Sequence, residues 1–201
     1  MSLQMGVRTL TILVVVVLGF FALGSWMAEQ NAPGEMQWHG KYQASLWQPL
    51  QQQTLTLAGV DAALGTGSLW LINAENQPLL VSRHPLESDG LNWRVQAVIE
   101  LDSVQTDSLV RAQAWTVDSP EQSISPGVAA ALAGRLIKRI SLIPEEPVDV
   151  VSFQGSLGNP AMRMDVGDGR QAWVYPEQGA VVAVSEDQAH SVLFGPSDDY
   201  E

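Results

Sequence analysis

The chain has no cysteine. Disulfides and thiolate metal sites are therefore excluded, and stability must come from apolar burial. Positive charge is also scarce: 10 Lys and Arg stand against 22 Asp and Glu, a net charge of −12. The basic residues are scattered, which argues against nucleic acid as a partner and against an anionic membrane lying flat on the polar part of the chain. The three histidines, His39, His84 and His190, fall in a linker, a loop and a late helix, with no metal-ligand spacing between any two. They read as surface residues. No GxSxG, HExxH, P-loop or GxGxxG occurs. Gly167, Asp168 and Gly169 lack the further oxygen ligands of a calcium loop and read as a hairpin turn. Glu145 and Glu146 read as a solvated pair between Pro144 and Pro147. The expectation is a non-enzymatic protein with no cofactor and no metal.

What the chain does have is one long apolar run. Residues 9–28 are twenty positions without a charge, bounded by Arg8 and Glu29, and eleven of them are Leu, Ile, Val or Phe. At about 1.5 Å rise per residue such a helix covers about 30 Å, the thickness of a bilayer's hydrocarbon core. The eleven contribute about −3 to −7 kcal/mol to insertion, with no charge opposing. A transmembrane anchor is expected, with Leu10, Ile12, Val15, Leu18 and Phe21 in contact with lipid and Trp26 at the interface. A cleaved signal peptide is the competing reading. Its best cleavage site, after Gly24, lies inside the apolar run, and the run is longer than a signal peptide's core. Arg8 precedes the anchor, while Glu29 and Glu35 follow it. The positive-inside rule then places residues 1–8 in the cytoplasm and the bulk outside. In a bacterial cell that means the inner membrane and the periplasm.

The rest divides into a linker over 29–40, a first α+β half over 41–118, a second over 119–195 and an acidic tail over 196–201. In the first half, Tyr42, Leu46, Trp47 and Leu50 share a helical face that Pro49 limits. Strands are expected over 54–58, 68–72 and 78–82, a hairpin loop over 73–77 and a loop over 83–90. Residues 91–101 alternate most cleanly, with Trp93, Val95, Ala97, Ile99 and Leu101 on one side. Residues 106–117 fit neither template well and lean to strand. In the second half, Ser125 and Pro126 open a helix that carries Arg135, Lys138 and Arg139 in its last turns, complementing its dipole. Strands follow over 148–153, 161–166, 170–175 and 180–184. Ser185 with Gln188 suggests a capping box for a final helix.

Residues 125–194 resemble the PepSY family of small extracytoplasmic domains. The features that carry the likeness are the Ala-rich helix GVAAALAGRLI, the segments VDVVSFQG and PAMRMDVGDG, and above all QAWVYPEQGAVVAVSEDQA, which looks like the family's closing hairpin. The chain departs from the pattern at Pro176, where the turn aspartate is usual, and at Gln178, where threonine usually precedes Gly179. The resemblance implies an inhibitor-like or regulatory role toward a protease or membrane complex. A fainter internal echo joins Trp70 through Ser82 to Trp173 through Ser185, each twelve positions from Trp to Ser.

The fold expected is α+β: one N-terminal transmembrane helix, then a mainly antiparallel sheet with helices packed on one face. Trp38 and Trp47, close to the anchor, could touch headgroups or a partner, and Arg135, Lys138 and Arg139 form a possible docking patch for an acidic one. The function expected is that of a single-pass membrane protein whose periplasmic domain binds or regulates another envelope protein. The alternative is an accessory or assembly subunit of a larger membrane complex, such as a secretion or respiratory machine.

Overall fold

In a computed structural model, residues 34–74 and 76–196 are described. The expected membrane helix over 9–28, with Leu10, Ile12, Val15, Leu18, Phe21 and Trp26, lies outside them. Among the described residues no helix is long and apolar enough to cross a membrane.

The chain enters through a broken helical segment: α1 (Gln37–Lys41), a π-turn (Gln43–Trp47) and α2 (Gln48–Gln51). Tyr42, Leu46, Trp47 and Leu50 are buried, as their spacing predicts, and Pro49 sits in the first turn of α2, where its missing N–H costs nothing. The strand expected over 54–58 is instead the start of α3 (Leu57–Leu64). Thr56 caps it, its Oγ1 accepting from the Gly59 N–H. Leu57 and Val60, one helical turn apart, are the residues that α3 buries.

Three hairpin strands follow, β1 (Ser68–Ala74), β2 (Gln77–Ser88) and β3 (Leu91–Ile99). Residues 83–88, expected as loop, continue β2 because they pair residue for residue with 91–96 of β3 across a tight turn. Asp89 and Gly90 both take positive φ there, as a two-residue hairpin turn requires. Next, α4 (Ser103–Ala112) stands where the sequence pattern leans to strand. Asp102 and Gln105 form a complete capping box at its start.

The chain then makes β4 (Gln122–Ser123), α5 (Pro126–Leu132), β5 (Ile137–Pro144), β6 (Val148–Asp149) and α6 (Val150–Leu157). The expected helix thus ends before its three bases. Ile140, Leu142 and Pro144 alternate into the core, and the run becomes a strand. The strand expected over 148–153 is mostly α6, capped by Asp149 and burying Val150, Phe153 and Leu157 at helical spacing. A final meander is built from β7 (Met162–Gly167), β8 (Arg170–Tyr175), β9 (Ala180–Ser185) and β10 (Gln188–Phe194). The expected last helix is β10, because Glu186 and Asp187 take positive φ and turn the chain back onto β9.

All the pairings are antiparallel, in a single sheet of order β4-β1-β2-β3-β5-β10-β9-β8-β7, with β6 beside β10. The two expected halves therefore share one sheet, joined where β3 pairs with β5. The expected linker is also partly domain, since Trp38 lies in the core.

Register separates the sheet into two faces. On the inner one, Ser82, Ala97, Ile140, Phe194, Ala180 and Tyr175 form one row, and His84, Val95, Leu142, Val192, Val182 and Trp173 the next. The apolar members of these rows join α1–α3 and α6 in one core, and Leu109 and Val110 of α4 pack against it. At its centre Trp38 meets Trp47, Trp93 and Phe194 edge-on with ring centroids 5.8, 6.0 and 5.8 Å away, and Trp47 stacks on Phe194 at 4.4 Å. These contacts fasten the entering helices to the middle strands. Trp70 points to the opposite side from Trp173, so the sequence echo between the two hairpins is not a structural equivalence.

Candidate functional site

Trp38 and Trp47 cannot meet headgroups or a partner. Their relative exposures are 0% and 3%, and both rings are spent in the core. The basic trio is dispersed as well. Arg135 is in the turn after α5, Lys138 is the extra residue where β5 bulges against β3, and Arg139 lies on the outer face opposite Val98. Arg83 and Arg94, from β2 and β3, share that face. Arg83 lies 4.9 Å over the Trp70 ring and its Nη1 donates to Glu121 Oε2 at 2.8 Å. The hydrogen bond from Arg83 holds the Glu121 carboxyl below its ordinary range, aided by the charges of Arg83 and Arg94 and opposed by slight burial.

Further along, the same face changes character. Leu193, Val181, Val174 and Met162 form one cross-strand row, and Ser191, Ala183, Ala172 and Met164 the next. No helix residue is needed to complete the pattern; most of these side chains reach solvent, and Met162, Met164 and Val166 are 56%, 43% and 54% exposed. An open groove of about 530 Å³ runs over β8, β9 and β10 here, floored by Ala172, Val181, Ala183 and Leu193. Arg170, Ser185 and His190 supply its polar rim. Two irregularities border it: Val166 is the extra residue in the β7–β8 ladder and His190 in the β9–β10 ladder. Bulges of this sort re-aim side chains at sheet edges. The chemistry on offer is apolar contact with a charged margin, suited to a protein surface.

The sequence reading missed a second cluster. His84, placed on the surface, is 1% exposed on the inner face of β2. Its Nδ1 donates to the Gly65 carbonyl at 2.8 Å, which leaves Nε2 to accept from the Ser82 hydroxyl at 2.9 Å. Burial pushes the imidazole below its ordinary pKa, against smaller opposing effects of the Gly65 carbonyl and the Asp61 carboxylate, so His84 is neutral near pH 7. A serine hydroxyl on a neutral histidine is the arrangement that activates nucleophiles. Here it is sealed: Ser82 is 1% exposed, and a Cβ added to Gly67 would stand 2.5 Å from both Ser82 Oγ and His84 Cε1. The backbone of Gly67 occupies the space a substrate would need. Asp61 Oδ1 accepts from the Gly67 N–H at 3.1 Å, so the cluster locks the α3–β1 turn onto the sheet. The only sequence signal was the i, i+2 spacing of Ser82 and His84 within what proved to be a longer strand.

Among the described residues no three His, Asp or Glu side chains gather as a metal site would require. Comparison with known proteins adds no relative: no family model matches the chain, and no curated protein and no solved structure matches it significantly.

Proposed function

We propose that the chain is a single-pass inner-membrane protein, anchored by residues 9–28, whose domain lies in the periplasm and binds or regulates another envelope protein without catalysing a reaction. The observation that carries this reading is the apolar outer face of β8, β9 and β10, centred on Val181, Ala183 and Leu193. An antiparallel sheet often leaves one face to water, but that face is then polar. An apolar one marks a docking site. The PepSY-like pattern of residues 125–194 supports a regulatory role in the same direction.

The test is a gentle-detergent pull-down of the full chain from its native membrane, beside Leu193→Asp. Loss of a stoichiometric partner from the variant supports the reading. Retention of the same partner rejects it. The charge-free run over 9–28 favours a second reading, an accessory subunit of a larger membrane complex recognised through its anchor. Replacing that run with an unrelated transmembrane helix separates the two: the regulator keeps its partner and the subunit loses it.

A further inference from the structure

We propose that the free edge of β7 pairs antiparallel with β7 of a second copy of the chain, about a two-fold axis midway between the two copies of Met164. This inference stands apart from the identity of any envelope partner.

Strand β7 pairs with β8 on one side and with no described strand on the other, and every residue from Met162 to Gly167 is exposed. A free edge offers unpaired N–H and C=O groups to another chain, and proteins commonly blunt such edges with lysine, proline or a cover. At the opposite end of the sheet β4 covers part of β1. On β7 there is neither lysine nor proline, and its two charges, Arg163 and Asp165, have opposite sign.

Those two charges favour the register centred on Met164, the only one that sets Arg163 opposite Asp165. A two-fold perpendicular to the sheet keeps inner face on inner face, so the axis must run midway between a residue and its own copy. Centred on Arg163 it would set two guanidinium groups against each other, and centred on Asp165 two carboxylates; like charges directly opposite are destabilising. Centred on Met164 it sets Arg163 opposite Asp165 twice, Met162 opposite Val166 twice, and Met164 opposite itself. Arg163 is already held beside its strand, 4.0 Å over the Trp173 ring on the inner side. The outer-face residues Met162, Met164 and Val166 would then join the two apolar faces into one surface spanning both copies.

The cysteine-free sequence makes the register readable. In the full chain, solubilised in mild detergent and treated with a thiol oxidant, Met164→Cys should form a disulfide-linked dimer, because residues directly opposite bring their Cβ atoms to about 5 Å. Met162→Cys alone should not, since its own copy lies four residues away, about 13 Å along the strands. A mixture of Met162→Cys and Val166→Cys chains should cross-link. Arg163→Asp should reduce the Met164→Cys dimer several-fold, and adding Asp165→Arg should restore it. Equal cross-linking of single cysteines at 162, 164 and 166 would overturn the register. A monomeric full chain in light scattering, with no cross-link at 164, would overturn the pairing itself.

Discussion

The two ends of the outer sheet face are built from the same kind of strand and end differently. At the β1–β3 end, Arg83 lies across Trp70 and is tied to Glu121, and β4 covers part of the edge. At the β7–β10 end, Leu193, Val181, Ala183 and Met164 are presented with no comparable polar network among the described residues, and no described strand pairs with the outer edge of β7. Both ends rest on one core, so stability alone cannot account for the contrast. An arginine stacked on a tryptophan occurs at each end, but on opposite faces: over Trp70 outside and over Trp173 inside. The first finishes a surface. The second leaves the outer side of its strands bare, the side on which the proposed partner would dock.

The contrast is sharpest between neighbours on β10. Val192 is 0% exposed on the inner face, and Leu193 is its outward neighbour. Val192→Asp should cost about 4 kcal/mol or more by burying an unpaired carboxylate, whereas Leu193→Asp should change stability by about 1 kcal/mol or less while abolishing partner capture. Urea unfolding of both variants checks the first part. Equal destabilisation would mean that the outer face is core. Trp38→Ala should cost about 3–5 kcal/mol, since the ring bridges the entering helices and the strands of both ends. If only one end lost hydrogen-exchange protection, the two would not share a core.

His84 gives a test confined to the β1–β3 end. Its folded pKa lies below the ordinary 6.5, so between those values the unfolded chain binds a proton that the folded chain does not. Stability is therefore complete above 6.5 and falls as the pH drops from there toward the folded value. Denaturant midpoints on either side of 6.5 should show that slope, and His84→Gln should flatten it. At the other end Tyr175 is buried with a hydroxyl that has no hydrogen-bond partner among the described residues, so Tyr175→Phe should leave thermal stability unchanged or raise it by about 1 kcal/mol. The smallest effect is expected of Arg83→Met. The Glu121 carboxylate it frees is largely solvated, and the loss should be under about 1 kcal/mol in denaturant titration.

Much of the sheet was legible because alternation and turn chemistry are local. Trp93, Val95, Ala97 and Ile99 read directly as a half-buried strand, and Gly167, Asp168 and Gly169 as a hairpin turn, with Asp168 and Gly169 at positive φ between paired Gly167 and Arg170. Two of the helices are also written locally: Asp102 and Gln105 are a capping box, and Val150, Phe153 and Leu157 follow a helical period behind Asp149. The basic trio misled because an Ala-rich opening favours helix, while Ile140 and Leu142 beyond it decide for strand by packing against β3 and β10. The outer face could not be read at all. Leu193, Val181 and Met162 belong to separate strands, and only the register across β7, β8, β9 and β10 brings them into one row.

The most direct measurement places a photo-activatable side chain at Ala183, and separately at Gln96 on the polar part of the same face, in the full chain in its native membrane. The account predicts a cross-link to one envelope protein from position 183 and none from 96. Cross-linking to that protein from 96 alone, or equally from both, would contradict it.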